Sequence, residues 1–148
     1  MASKRGLPTL IRLHQRQLDE KRRMLAELEQ MRAEMDRKIL LLDGEIERER
    51  QAAADQPELI GQFAAYLEGA RQRRQTMLRT IDELAPKIEA AANAVAVAFQ
   101  DVKKFEIAAE MKARQRKAAL DKAEQDELDD IALVQHRRRG AADDDGGG

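Results

Sequence analysis

The side chains able to do chemistry in this 148-residue chain are few in kind. Without cysteine there is no thiolate nucleophile, no Cys-ligated zinc and no disulfide framework, and the reducing cytosol is the expected compartment. The two histidines, His14 and His136, lie near opposite ends of the sequence, and neither has the spacing of a zinc site. Asp143, Asp144 and Asp145 are adjacent and lack the alternating ligand spacing of a calcium loop, so they make a poor cage. Charge itself is abundant, with 27 Lys and Arg against 28 Asp and Glu and a net charge of −1. Three basic clusters, Glu20-Lys21-Arg22-Arg23, Arg71-Gln72-Arg73-Arg74 and His136-Arg137-Arg138-Arg139, invite a phosphate-binding reading. Phosphate binding needs excess positive charge on one face, because its affinity comes from counterion release along a polyanion. Here acids are interspersed with bases at helical spacing, and one Tyr, three Phe and no Trp leave little to stack on bases. The clusters therefore read as solvated faces, the last of them placed where a helix dipole favours cations. No catalytic residue, no metal site, no cofactor and no nucleic-acid partner are expected.

The elements that could position any side chain are read from periodicity. Alternating steps of three and four residues from Ile11 visit Ile11, His14, Leu18, Lys21, Leu25, Leu28, Arg32, Met35, Ile39, Leu42, Ile46 and Glu49, a coiled-coil seam with four polar members. The same steps from Ile60 visit Phe63, Leu67, Ala70, Arg74, Met77, Ile81, Leu84, Ile88, Ala91, Val95, Ala98, Val102, Phe105 and Ala109, with Arg74 the only polar visitor. Between the seams, Asp55 or Gln56 can cap a helix whose first turn accepts Pro57. The expected fold is all-α: an antiparallel two-helix coiled coil, with helix 1 over about 8–51, a turn at 52–56 and helix 2 over 57–139, the second much longer than the first. Pro86 is expected to bend helix 2 without breaking it, because the seam keeps phase across it. Gly140 is expected to end the helix, leaving 140–148 as a disordered acidic tail.

Unequal helices carry the functional expectation. With a reversal centred near residue 54, partner numbers sum to about 108 and Pro8 faces about Gln100. Residues 101–139 then have no internal partner and amount to on the order of 55 Å of helix at ~1.5 Å per residue. That stretch still carries Val102, Phe105, Ile107, Met111, Leu120, Leu128, Ile131, Leu133 and Val134. An apolar helix with nothing of its own to cover it is a binding element. Phe63 and Leu67, near the reversal, are expected on the seam against Leu42 and Ile46, with outer flanks that no third layer covers and Tyr66 beside them. No secretory signal is visible and no apolar run approaches 18 residues, so a cytoplasmic protein without direct membrane insertion is expected.

Four segments in order, Gly6-Leu-Pro-Thr-Leu10-Ile-Arg-Leu13, Asp19-Glu-Lys-Arg-Arg23, Gln62-Phe63-x-x-x-Leu67-Glu68 and Glu124-Gln-x-Glu-Leu-Asp-Asp-Ile-Ala132-x-x-x-x-Arg137, resemble the FliJ family of flagellar export proteins over about residues 7–139. The resemblance implies a non-enzymatic stalk, similar to the central stalk of rotary ATPases, in the bacterial type III export apparatus. It implies three partners: the hexameric flagellar export ATPase, the cytoplasmic domain of the membrane export gate, and the export chaperones. It places the protein in the cytoplasm, peripherally associated with the inner membrane at the flagellar base. By the same resemblance, Phe63 and Leu67 bind the gate, and Leu10, Leu128, Asp130, Ile131 and Arg137 face the ATPase. Where the family often has aromatic residues facing the gate patch, this sequence has Glu45 and Glu49. The alternatives are the stalk of a virulence secretion system and a coiled-coil scaffold that homodimerises through its overhang.

Overall fold

The structure, a computed structural model, describes residues 3–145, with side chains from residue 6 onward. Helix α1 spans Ser3–Asp55, a short 3-10 turn spans Pro57–Leu59, and helix α2 spans Ile60–Asp145. No strand occurs among the described residues. At 53 and 86 residues the helices are unequal, as the all-α hairpin reading requires.

The reversal occupies Gln56 and the three residues after it. Gln56 takes an extended conformation (φ −131°, ψ 95°), as a residue preceding proline is pressed to do. Its amide still donates to the Ala52 carbonyl at 3.2 Å, closing α1, while its carbonyl accepts from the Leu59 amide at 2.9 Å, opening the return. Pro57 stands in the first turn, where its missing N–H costs nothing. The Gln56 side chain makes no capping bond, so proline and backbone carry the turn.

Contacts divide the chain into two units, one of Ile11–Val102 and one of Met1–Leu10 with Lys103–Gly148. Within the first unit the helices run antiparallel. Lys21, Met24 and Leu28 border one groove with Ala94, Ala91 and Lys87, and Asp43 pairs with Arg74. Leu18 packs with Ala98 and Val102, flanked by Val95. These pairs place the register about nine residues away from the expected one: the sum is near 117 and not 108. α1 remains helical through 51–55, so the chain turns later than composition suggested.

The seam positions are covered as the periodicity requires. Along α1 only Arg32 and Glu49 of the seam are exposed, and along α2 only Ile60. Among the described residues the core is thin, consisting of Leu18, Leu42, Ala53, Ala70, Leu84, Ala98 and Val102, and no polar residue is buried with it. Arg74, the polar visitor on the second seam, directs its guanidinium to the Asp43 carboxylate, Nε to Oδ1 at 2.9 Å and Nη2 to Oδ2 at 3.4 Å. Burial of polar seam residues is avoided because long side chains lay their stems along the groove and keep their heads in water.

Two boundaries, the start of α1 and the end of α2, differ from expectation. α1 begins at Ser3, so Pro8 lies inside it, where its exposed position lets the carbonyl it leaves unpaired turn to water. α2 is continuous through Pro86. Gly140 does not stop α2, which continues to Asp145, because no described glycine adopts positive φ and the residue remains helical. Of the tail expected to be disordered, 140–145 is helical and 146–148 lies outside the described residues.

Within the second unit, Gly6 and Leu7 of α1 are half-buried, and on α2 the last half-buried residue is Ala109. Every described residue from 110 to 145 is exposed. No described helix is long and apolar enough to cross a membrane.

Candidate functional site

Two places in the structure combine exposed apolar surface with polar groups. The first is the distal part of α2. Leu120, Leu128, Ile131, Leu133 and Val134 are all large and exposed, between 46% and 63%. On a 3.6-residue helix Leu120, Glu127, Ile131, Val134 and Arg138 recur at spacings of seven, four, three and four, which sets them on one face. Glu127, Asp130, Ile131, Val134, Gln135 and Arg138 line a shallow groove on that face. Leu128 and Arg137, nine residues apart, stand half a helical circumference from each other, one on each border of the face. The structure thus brings Asp130 and Ile131 into one groove and leaves Leu128 and Arg137 on its edges. Leu10 is 39% exposed on α1 and does not line this groove. Sequence reasoning passed over Glu127, Val134, Gln135 and Arg138 as site residues; their i+3 and i+4 spacing about Ile131 was the available signal.

Polar links along distal α2 are local. Glu110 pairs with Arg114 at 2.6 Å, and the Gln125 amide donates to Asp129 at 3.1 Å. Such exposed pairs stiffen a helix by a few tenths of a kcal/mol each, about 0.3–0.5. They hold the apolar face in order without covering it.

The second place is the hairpin tip. Phe63 and Leu67 are half-buried and share one face of α2. Phe63 lies in a cavity of about 240 Å³ bordered by Glu49, Ala52, Ala53, Leu59, Gln62 and Tyr66. It was expected against Leu42 and Ile46; the later turn sets it beside two alanines instead. Alanine supplies little volume opposite a phenyl ring, and the cavity is the space left over.

Tyr66 borders the same cavity, and its hydroxyl is buried beside the Glu45 carboxylate. Burial raises its ionisation above the ordinary value near 10, and Glu45 and then Glu49 add to the rise, while Arg73 opposes it. The two glutamates noted in the sequence therefore sit beside the phenol, and the tip combines a half-covered aromatic ring, a buried hydroxyl and two carboxylates.

No group of three or more His, Asp or Glu able to hold a metal occurs among the described residues. His14 is half-buried on the first seam, and Lys21 likewise lies along it.

The profile of the family described as Flagellar FliJ protein matches residues 3–141, nearly the whole chain. The Flagellar FliJ protein of Caulobacter vibrioides strain NA1000 / CB15N is 31% identical over 123 residues, covering 81% of this chain and 88% of the relative. The protein of the same description from strain ATCC 19089 / CIP 103742 / CB 15 matches to the same extent. No solved structure gives a significant match. With a profile spanning both helices and the turn, and relatives aligned over most of their own length, the chain belongs to the FliJ family of flagellar proteins.

Proposed function

We propose that this chain is a non-enzymatic stalk and adaptor of the flagellar protein export apparatus, which binds the export ATPase through distal α2 and links it to the export gate and to substrate chaperones. The observation that carries the reading is the exposed apolar face on residues 110–145, where Leu120, Ile131 and Val134 have nothing among the described residues to cover them. Association with a partner buries such a face at ~25 cal/mol per Å² of apolar surface, less the cost of ordering. Distal α2, with Asp130 in the groove and Leu128 and Arg137 on its borders, and Leu10 on α1, form the ATPase-facing group. Phe63 and Leu67, beside the tip cavity, form the gate-facing group. Hydrolysis belongs to the partner, and this chain supplies a docking surface. Family membership supports the assignment, and its cellular setting is the cytoplasmic side of the inner membrane at the flagellar base.

The test is pull-down of the cognate export ATPase and of the gate's cytoplasmic domain, using the full chain and a version ending at residue 112. The full chain is expected to retain both partners, and the shortened one to lose the ATPase while keeping the gate. Phe63→Ala with Leu67→Ala should do the reverse. Failure of the full chain to retain either partner refutes the proposal. An obligate dimer that forms through 110–145 at low micromolar concentration would replace it with a self-associating scaffold.

A further inference from the structure

The Ala-rich stretch of α2 has a use that neither the distal face nor the tip accounts for. In the unit Ile11–Val102, Lys21, Met24 and Leu28 of α1 border a groove of about 440 Å³ with Lys87, Ala90, Ala91 and Ala94 of α2. That volume lies in the range of ligand-sized clefts. Its floor is apolar, and the apolar surface continues beyond it on both helices. Met24, Leu28 and Met31 stand at i, i+4 and i+7, as do Ala90, Ala94 and Val97, so each trio occupies one helix face. Met24, Met31 and Val97 are 48%, 52% and 57% exposed.

Small residues on α2 face flexible thioethers on α1, which gives a shallow trough that adapts to the side chains entering it. A third helix is the natural occupant, because two helices in contact leave a groove on each flank that takes one apolar stripe. The charges select among helices. Lys21 and Lys87 are the charged residues that border the groove, and neither forms an ion pair with a carboxylate among the described residues.

We propose that this groove docks an amphipathic helix of another protein, one whose apolar stripe is flanked by Asp or Glu placed to meet Lys21 and Lys87. The site is separate from the tip and from residues 110–145, so its occupation does not depend on the export reading.

The probes are three synthetic three-heptad helices that share a backbone pattern. One has Leu at the apolar positions and Glu on the flanks, the second replaces Glu with Lys, and the third keeps Glu but replaces Leu with Ser. Fluorescence anisotropy with the full chain is expected to show the Leu/Glu helix binding about tenfold more tightly than the Leu/Lys helix in about 50 mM salt, with the gap closing in about 500 mM salt. The Ser helix should bind no better than the Lys helix. Lys21→Glu with Lys87→Glu should invert the preference, and Ala90→Glu should weaken the Leu/Glu helix at least tenfold with unchanged far-UV circular dichroism. The peptide comparison on the unsubstituted chain stands even if a variant folds poorly. Equal affinity for the Glu and Lys helices overturns the charge selection, and equal affinity for the Leu and Ser helices overturns the apolar groove. A dimer in sedimentation that Ala90→Glu dissolves would assign the groove to a second copy of this chain and overturn the proposal.

Discussion

The same substitution, leucine to alanine, should have opposite readouts at Leu18 and Leu128. Leu18 is 6% exposed and packs with Ala98 and Val102 between the two helices. Truncation to alanine removes roughly three carbons from that contact, about 2.4 kcal/mol at ~0.8 kcal/mol per carbon. A cavity penalty adds to this, but a two-helix core is open at its flanks and collapses readily, so the total belongs at the low end of the range for buried leucines, about 2–3 kcal/mol. For a unit of this size that lowers the melting temperature by about 10–20 °C. Leu128 is 60% exposed on a stretch where every neighbour is exposed as well. Alanine there loses little burial and has slightly better helix propensity, so the net effect on stability is about zero. Under the proposed function, binding to the export ATPase should weaken by roughly 5–30-fold, the cost of about 1–2 kcal/mol at a contact residue. Thermal melts followed by far-UV circular dichroism, together with titration of the ATPase, give both quantities from the same samples. Comparable losses of melting temperature at the two sites, or full ATPase affinity in Leu128→Ala, would refute the division between a structural seam and a docking face.

Three further outcomes follow from particular contacts. With Tyr66 the only tyrosine and no tryptophan present, tyrosinate absorbance titrates that hydroxyl alone, and its midpoint should lie above the ordinary value near 10 and move down in Glu45→Gln. A raised value in the folded state means that this contribution to stability is complete below the unfolded value and is lost as pH rises through the folded one, so Tyr66→Phe should melt with less sensitivity to alkali; a midpoint at or below 10 contradicts the burial of the hydroxyl. A double-mutant cycle on Asp43→Asn and Arg74→Gln should give a coupling of about 0.5 kcal/mol, since both side chains are more than 40% exposed, and it should shrink in about 1 M salt. Gly140→Ala places a methyl where no atom lies within 4 Å and where the helix continues, so amide exchange around 136–144 should slow several-fold, up to the ~1 kcal/mol helix-propensity difference; unchanged exchange would mean that the segment is not helical in solution.

Legibility of the fold from sequence differed by element. Both seams were readable because a coiled-coil core is a one-dimensional pattern: Leu18, Leu42, Ala70, Leu84, Ala98 and Val102 all lie on three-and-four stepping, and all are buried. Helix ends were less readable. Pro8 and Gly140 are residues that often mark boundaries, yet a long helix absorbs the local penalty, about 3 kcal/mol for proline and about 1 kcal/mol for glycine, where the position is exposed. The position of the turn was the consequential error. Gln51-Ala-Ala-Ala-Asp55 has no breaker, and only the residue ahead of Pro57 is forced out of the helix, so the reversal falls at Gln56–Leu59 and the register moves by about nine. Phe63 thereby meets Ala52 and Ala53 in place of Leu42 and Ile46, and the tip cavity exists because of that exchange.

The amino-acid sequence by itself determined that this chain is helical, that it makes two unequal arms, and that its far arm carries apolar residues with no partner of their own. Those properties depend on spacing along one helix, which covalent order dictates. Tertiary structure alone decided which residue faces which: Asp43 against Arg74, Phe63 beside alanines, Tyr66 near Glu45, and Met24 across from Ala91. Cross-helix pairing depends on the number of residues spent in the turn, and a shift of a few positions there relocates every pocket between the helices while leaving each helix's own pattern intact.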